Sequence, residues 1–541
     1  MRTYSLPRRR AGRRASPLLI SLALPLVGSP PAAAQSTPPV SISPPSSAEN
    51  PAPAPFTSTV VPPVNVDVRP PQAPVIDPAA RVAVPVAGPP PLPVSEGPQD
   101  VRLPGPAARP LDLDPADDPL LASVLVSAPA DGFRALVQAA VVRHPGLDET
   151  SGYAEEARYA LYQQEAAKAP SGELNIVGFQ VLGRQFSGDS VDNIVERTRA
   201  NRRFDELAVV NQLITDFGAT NARIDAAGAR LRAAALGVDN AADQVALNTI
   251  AAWYDVYSLR TIMALTSAYQ QDSLKNREGV RKRIAGGVSA QSDAALIENA
   301  LAQLDIRSAR YAQQLSSAEA RFRELTGAPP PLGLMRAPEL GTPPETIEEA
   351  RTAADTTPAA RAAREQEVAA RRDARAAERD LFPTVGASIN AGRYGLLESP
   401  RDYDVVARIT LRQRFFGGLP QRAKGAAAHA SAIAARTTRI SEEGRRDAAV
   451  AFSDLEALDR QLEAMKASYA ATRITRDATV ERFRFSRGTI FDVLNASDTF
   501  YAAAISYVQA LAQRDAARYV LLSRTGRLLD ALAIPKYIVR D

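Results

Sequence analysis

The chain has no cysteine, and this absence removes several kinds of chemistry. Disulfide bonds, thiolate nucleophiles and zinc–cysteine sites are excluded, and so is an amino-terminal cysteine that could carry a lipid anchor. Histidine is nearly as scarce, since only His144 and His429 occur and neither has a second ligand type at metal spacing. We therefore expect neither a metal site nor a cofactor.

Strong charge and catalytic motifs are missing as well. The net charge is only +4 over 541 residues, and no cluster of Lys and Arg alternates with aromatic residues. Nucleic acid is therefore not an expected partner. The chain also lacks a nucleotide-binding loop, a dinucleotide fingerprint and a catalytic-triad pattern. These absences predict that the protein is not an enzyme.

The first 34 residues have the pattern of a cleaved signal peptide. Arginines between positions 8 and 14 precede an apolar stretch from Pro17 to Val27, and Ala32–Ala34 supply a small-residue cleavage site before Gln35. The apolar stretch is shorter than the roughly 20 residues that cross the hydrocarbon of a bilayer. We therefore predict secretion, with residues 1–34 removed.

Residues 35–120 are set apart by their proline content. They carry 24 of the 43 prolines in the chain, and proline lacks the N–H that helices and sheets require. We predict a disordered Pro-rich segment. Two interpretations of it stay open: a spacer or an arm that contacts peptidoglycan or a partner, or a disordered lead-in without a dedicated role.

The remainder of the chain is an internal duplication of a long helical hairpin. The stretch from Arg281 to Gly327 returns between Glu481 and Gly526, and matching residues such as Asp293 and Asp492 lie 199 positions apart. A repeat of this length is one architecture built twice, and not a solenoid of short units.

Each copy has the same predicted order of elements. Short helices are followed by a β-hairpin, a very long helix without proline, a glycine-containing turn and a returning helix. The long helices reach about 95 Å, so they need partners along their whole length. The predicted boundaries are 131–330 for the first repeat (β-hairpin about 173–216, long helix about 221–284, return helix about 292–326), 345–530 for the second repeat (β-hairpin about 382–416, long helix about 421–485, return helix about 492–525) and 531–541 for a C-terminal tail.

This arrangement resembles the TolC-type outer-membrane efflux and secretion channels over about residues 131–530. The turn segments RIAGGVSAQSDAAL and RFSRGTIFDVLNASDTFYAA are similar to the Arg/Tyr-x-x-Gly…Asp-x-Leu-x-Ala signature of that family. Phe217-Gly218 and Phe416-Gly417-Gly418 resemble the Phe-Gly-Gly at which a strand passes into a helix in the family.

The resemblance implies a fold that is mainly α with a small β part. Duplicated long-helix hairpins would form an α-helical barrel, and a transmembrane β-barrel would be completed by trimerisation. The four strands of one chain are too few to close a barrel, and an open sheet edge in lipid is costly. The implied location is the cell outer membrane, in contact with outer-membrane lipid, with the tunnel extending into the periplasm.

The resemblance also implies partners and a function. The homotrimer would work with a periplasmic adaptor (membrane-fusion) protein and an inner-membrane ABC or proton-driven transporter. It would be a passive conduit with a periplasmic gate for type I protein secretion or multidrug efflux, and the second turn, RGTIFDVL, is more similar to the secretion branch. The alternative is a secreted coiled-coil structural or adhesive protein with a Pro-rich stalk. The hairpins favour the channel, because a fibrous protein has no use for them.

The gate residues are assigned through the family pattern. Asp492 corresponds to an acidic constriction ring, Asn495 stands where a second ring acid is expected, and Asp293 is the partner acid on the first turn. The other predicted contacts at the periplasmic tip are Gly286, Gly287, Gly488 and Arg487.

The second turn departs from the family pattern. Gly488 lies only four positions before Asp492, so the usual arginine position is lost or its role passes to Arg487 or Arg484. Both acids also have a second interpretation. Because Asp293 and Asp492 stand where helices begin, either carboxylate could act as a helix cap that accepts free backbone N–H groups.

Overall fold

The computed structural model describes residues 103–106, 118–183, 185, 201–395 and 403–538. The predicted signal peptide, most of the Pro-rich segment and the end of the C-terminal tail lie outside these ranges. Over the ranges that are described, no helix combines the length and the apolar character needed to cross a bilayer.

The first repeat consists of short helices, a hairpin and two long helices. They are α1 (Pro119–Leu125), α2 (Ala130–Arg143), α3 (Pro145–Ala166), β1 (Ser171–Gln180), β2 (Arg202–Thr215), α4 (Ala219–Ala285) and α5 (Gln291–Thr326). Proline at the first position of α1 and α3 suits a helix start, where its missing N–H would have no partner.

The second repeat has the same order. Its elements are α6 (Ile347–Ala353), α7 (Pro358–Arg379), β3 (Thr384–Arg393), β4 (Tyr403–Arg412), α8 (Leu419–Arg484), α9 (Ile490–Arg524) and a short α10 (Leu528–Ala531). The ends of the four longest helices lie within two residues of the predicted positions. The 67 residues of α4 correspond to a length of about 100 Å.

Each long helix begins after two residues with left-handed backbone conformation. These residues are Phe217 and Gly218 before α4, and Gly417 and Gly418 before α8. The two pairs lie 200 positions apart, whereas the sequence repeat pairs Phe217 with Phe416 at a separation of 199. The conformation of Phe217 is therefore repeated at Gly417, one residue after its sequence counterpart. The helices absorb the difference, because α4 has 67 residues and α8 has 66.

The main hydrophobic core lies where α2, α4 and α9 meet. Phe133 packs edge-on against Trp253 with ring centroids 5.1 Å apart, and the Phe133 and Tyr519 ring centroids are 6.0 Å apart. The indole N–H of Trp253 donates to the carbonyl of Met335 at 2.9 Å. The only tryptophan is therefore a packing residue with a satisfied donor.

The four strands form one antiparallel sheet in the order β1-β2-β3-β4. The central pairing, β2 with β3, joins the two repeats, and Val210 lies opposite Ile389. A bulge between Leu213 and Thr215 shifts the register just before α4 begins. The strands β1 and β4 are the two edges of the sheet.

The end of the Pro-rich segment is packed, and this corrects the prediction that residues 35–120 are disordered throughout. Leu103 and Pro104 are buried, and Asp118 is 1% exposed. The residues between these two points, 107–117, lie outside the described part of the chain. The packed part of the chain therefore includes described residues that lie before the predicted end of the disordered segment at residue 120.

Candidate functional site

The predicted site lies at the two turns that connect the long helices to the returning helices. Both turns close with the same hydrogen bonds: Val288 N–H donates to the Arg283 carbonyl and Arg487 N–H donates to the Arg482 carbonyl, each at 2.9 Å. This six-to-one bond defines a Schellman motif, in which one residue takes the left-handed conformation. That residue is Gly287 in the first turn.

The predicted glycines therefore have different roles. Gly286 caps α4 with an ordinary φ of −83°, whereas Gly287 has a φ of 72°. In the second turn the left-handed residue is Ser486, with a φ of 57°. Gly488 lies two positions later, beyond the motif, and is not the counterpart of Gly287.

Asp492 occupies the third position of α9 and forms a reciprocal capping box with Thr489. Its Oδ2 accepts hydrogen bonds from the Thr489 N–H at 3.0 Å and hydroxyl at 2.8 Å, and its own N–H donates to Thr489 Oγ1 at 3.2 Å. The backbone hydrogen bond from Thr489 lowers the pKa of the carboxyl, helped by the Thr489 hydroxyl and the charge of Arg482. The carboxylate is exposed and ionised.

Asp293 occupies the equivalent third position of α5 without a capping box. The cap residue there is Ala290, which has no side-chain acceptor. Within the described residues the Asp293 carboxylate has no hydrogen-bond or ion-pair partner, and its backbone N–H donates to the Ala290 carbonyl at 3.1 Å. The capping interpretation thus holds for Asp492 and not for Asp293.

Asp492 and Asn495 face one polar groove of about 350 Å³ between α8 and α9. Both side chains are exposed. The remaining lining residues are mostly hydroxyl-bearing or small: Thr472, Thr475, Thr479, Arg482, Gly488, Ala496 and Thr499. The structure therefore brings the predicted gate pair together with Gly488, while Arg487 does not line the groove.

The arginines of the second turn have separate environments. Arg482 is the one whose charge acts on Asp492. Arg484 pairs with Glu481 on its own helix at 3.4 Å, and Arg487 has an exposed side chain without an ion pair in the described chain. The sequence offers Arg487 or Arg484 for the role of the missing arginine, whereas the arginine charge that lowers the pKa of Asp492 belongs to Arg482.

Contacts between the repeats at this end involve residues that sequence reasoning missed. The Arg283 guanidinium lies 4.5 Å from the centre of the Phe483 ring and donates to the Phe483 carbonyl at 3.4 Å. Further along, Arg307 on α5 pairs with Asp498 on α9 at 2.6 Å. Phe483 also packs against a small apolar cluster from all four long helices: Val280, Ile297, Leu301, Val480, Ile490 and Val493.

No protein-family model matches the chain. The chain is 24% identical over 328 residues to the outer membrane efflux protein BepC of Brucella suis biovar 1, covering 59% of this chain and 71% of that protein. Among solved structures it is similar to the outer membrane protein VceC of Vibrio cholerae, with a TM-score of 0.63 and 16% identity over 73% of this chain and 96% of that one. It is also similar to the MtrE outer membrane channel of Neisseria gonorrhoeae, with a TM-score of 0.61 and 17% identity over 73% of this chain and 89% of that one.

The chain builds a hairpin and two paired long helices twice and joins the two copies through one sheet. The particular fold is that of the TolC-type outer-membrane channels, and the resemblance predicted from the sequence is confirmed. The predicted fold class, mainly α with a small β part, is confirmed with it. The proteins to which the chain is similar are an outer membrane efflux protein, an outer membrane protein and an outer membrane channel, and they do not favour the fibrous alternative.

Proposed function

We propose that the chain is one subunit of a trimeric outer-membrane channel that acts as a passive conduit. The sheet is located in the outer membrane, and the long helices extend into the periplasm. The observation that carries this proposal is a four-stranded sheet with an exposed apolar face and two free edges.

One face of the sheet is mainly apolar across the hairpins of both repeats, and its polar exceptions include Gln180, Glu206, Gln212 and Arg393. Directly opposed residues share a face, and Ala208 lies opposite both Leu174 and Ala391, while Ile409 lies opposite Ala387. The large exposed side chains on this face are Leu174, Ile176, Phe204, Val210, Ile389, Tyr403, Val405, Ile409 and Leu411. Such a face would be unstable in water and suits contact with lipid.

The opposite face is polar in the second hairpin. Its residues are Thr384, Gly386, Ser388, Asn390, Gly392, Asp404, Arg408, Thr410 and Arg412, and Val406 is the one apolar exception. Apolar residues outward and polar residues inward are the pattern of strands that separate lipid from a water-filled pore.

The free edges explain why three copies are needed. The outer sides of β1 and β4 have no partner strand in the described chain, and each unpaired backbone group in lipid costs several kcal/mol. Pairing β1 of one copy with β4 of the next satisfies both edges. Three copies supply twelve strands, as the resemblance implies, and close the sheet without an edge.

The gate of the proposed channel is the groove that contains Asp492 and Asn495. Three copies of Asp492 around one axis would form an acidic ring, because only Oδ2 is used by the capping box and the side chain is exposed. The same end of the long helices is where a periplasmic adaptor would bind, with an inner-membrane ABC or proton-driven transporter supplying the energy.

Two cargo classes are proposed, on different observations. The similarity to the Brucella outer membrane efflux protein favours efflux, whereas the second-turn sequence RGTIFDVL favours type I protein secretion. Deleting the gene separates them: efflux predicts greater sensitivity to small toxic compounds, and secretion predicts loss of an exported protein from the medium.

The trimer is tested by the mass of the purified protein in detergent. We expect a species of three chains, extracted from the outer-membrane fraction only by detergent, that forms ion-conducting pores in planar bilayers. A stable monomer or dimer, or a protein released from membranes by salt, would contradict the proposal.

A further inference from the structure

A short part of the Pro-rich segment lies in a groove between the long helices near the turns. Leu103 and Pro104 are buried there, and the Pro104 carbonyl accepts a hydrogen bond from the Arg476 guanidinium at 2.8 Å. Three helices line the groove around Leu103 and Pro106: α4 with Tyr269 and Gly279, α8 with Val480 and Phe483, and α9 with Phe500.

Asp118 makes a second attachment to α8. Its Oδ2 accepts hydrogen bonds from Arg473 Nη1 at 2.7 Å and from the Tyr469 hydroxyl at 2.9 Å. Its Oδ1 accepts from the Leu120 N–H at 2.9 Å and so caps α1. The Asp118 and Arg473 side chains are 1% and 9% exposed, so this ion pair is almost fully removed from water.

The α8 residues that make these contacts belong to one stripe. Tyr469, Arg473, Arg476, Val480 and Phe483 follow a four-three-four-three spacing, which places them on the seam that a long helix presents to its neighbours. Seam positions are normally apolar, and a buried guanidinium without partners is strongly destabilising.

Both arginines obtain partners from the Pro-rich segment. Arg473 has the Asp118 carboxylate and Arg476 has the Pro104 carbonyl. Arg476 also pairs with Asp477 and lies 4.4 Å from the centre of the Phe500 ring on α9. The seam of α8 is therefore covered here by an extended piece of the same chain together with Phe500 of α9.

The attachment lies close to the proposed gate. Arg476 precedes Ser486 of the turn by ten residues, which is about 15 Å along the helix. Because α8 and α9 are joined at that turn, they move as a pair. Opening the gate therefore requires the α8–α9 pair to move relative to α4. The buried segment lies between α4 and α8 and would have to give way.

We propose that Leu103–Pro106 and Asp118 form a strap that holds the tip of the α8–α9 pair against α4, and that the channel opens only when the strap releases Arg473 and Arg476. This inference rests on the proposed channel function, because it assigns the strap to the gating step. It gives the end of the Pro-rich segment a role that a simple lead-in would not have.

Thiol labelling tests whether the strap is seated and can be released. The chain has no cysteine, so Leu103→Cys in the full-length protein provides a single thiol that is buried while the strap is in place. We expect slow reaction with a water-soluble maleimide. Adding Asp118→Asn, which keeps a capping oxygen for α1 but removes the charge facing Arg473, should accelerate the reaction by at least about tenfold.

Bilayer conductance tests whether release opens the channel. Asp118→Asn and, separately, Leu103→Asn should each increase the fraction of time spent in the open state. Leu103→Asn removes only the apolar anchor and leaves every helix unchanged. It therefore provides the same test of channel opening if Asp118→Asn fails to fold.

Asp515→Asn is the matched control. Asp515 lies on α9, the helix that carries Asp492, about 35 Å further along it. The substitution breaks the pair of Asp515 with Arg336, whose side chains are 2% and 14% exposed. It should leave both the labelling rate and the open fraction unchanged.

Three results would overturn the inference. Rapid labelling of Leu103→Cys alone would show that the strap is not seated. Faster labelling with an unchanged open fraction would show that the strap does not gate the channel. Absence of conductance in every variant, the wild type included, would contradict the channel function and the gating role with it, while the labelling rates would still report the seating of the strap.

Discussion

Gly287 and Ser486 take the same left-handed conformation at the ends of α4 and α8, with φ angles of 72° and 57°. Each is the left-handed residue of a Schellman turn, and the two positions are 199 residues apart. Glycine adopts this conformation without a steric penalty, whereas a residue with a Cβ atom pays about 1–2 kcal/mol. The turn that carries the proposed gate therefore contains backbone strain that the first turn lacks.

Replacing Ser486 with glycine should relieve this strain. We expect Ser486→Gly to raise the free energy of unfolding by up to about 1 kcal/mol, and Gly287→Ser to lower it by about 1 kcal/mol. Unfolding in detergent measures both. The matched control is Ser468→Gly, on the exposed side of α8, which should be destabilising by roughly 0.5–1 kcal/mol. If Ser486→Gly behaves like the control, the strain is absent.

The capping box at Asp492 separates charge from structure in one substitution. In Asp492→Asn the amide oxygen still accepts from the Thr489 N–H, so the helix cap is largely retained while the charge is lost. We expect a lower preference for cations in bilayer conductance. Asn495→Asp, on the next turn of the same groove, should raise that preference together with sensitivity to divalent cations.

Asp293→Asn is the control for the gate, because it removes the equivalent carboxylate from the first turn. It should change cation preference less than Asp492→Asn does. Unchanged selectivity in Asp492→Asn would leave this residue a helix cap only.

The two faces of β4 should respond differently to the same substitution. Ile409 is 77% exposed on the apolar face, so Ile409→Lys should destabilise the membrane-inserted protein by about 2–4 kcal/mol if it faces the middle of the bilayer. The neighbouring Thr410→Lys, on the polar face, should be tolerated. Heat resistance of the oligomer on semi-native gels compares them, and equal effects would contradict the assignment of the faces.

Asp243 should make the protein more stable as the pH falls from neutral. Burial raises the pKa of its carboxyl, against the effects of the Ser523 hydroxyl and Arg524, whereas in the unfolded chain the pKa is about 3.9. The folded state therefore binds the proton more readily. Its ionised form costs stability above the ordinary Asp pKa, and that cost disappears as the pH falls through the raised pKa.

Asp243→Asn should accordingly stabilise the protein at neutral pH and flatten this part of the pH profile. Asp216 provides a control of opposite sign. Burial acts to raise its pKa, but hydrogen bonds from Thr220 and Gly218 lower it overall, so its contribution is present above the ordinary Asp pKa and is lost in acid. Asp216→Asn should therefore be destabilising at neutral pH, and equal effects of the two substitutions would refute the argument.

The repeat could be predicted from the sequence because its signals are local and occur twice. Long proline-free stretches, the glycine-containing turns and the alternating hairpins predict α4, α5, α8 and α9 without knowledge of tertiary contacts. The one-residue displacement between Phe217 and Phe416 is not predictable in this way, because it depends on which residues take the left-handed conformation.

The strap illustrates what the sequence alone did not predict. Asp118-Pro119 before two leucines is a helix-start signal, but the surrounding prolines outweigh it. Arg473 and Arg476 on an otherwise apolar seam indicate that something must cover them. The segment that covers them is more than 350 residues away in the sequence, and no local pattern identifies it.

The order β1-β2-β3-β4 places the two edges of the sheet in different repeats. In the proposed trimer every seam between subunits therefore joins the first repeat of one copy to the second repeat of the next. A chain with a defective β4 would spoil a seam even when both neighbours are normal. In a cell that makes equal amounts of normal and defective chains, only roughly one assembly in eight would be free of the defect. A damaged allele should thus be dominant over the wild type, and not recessive.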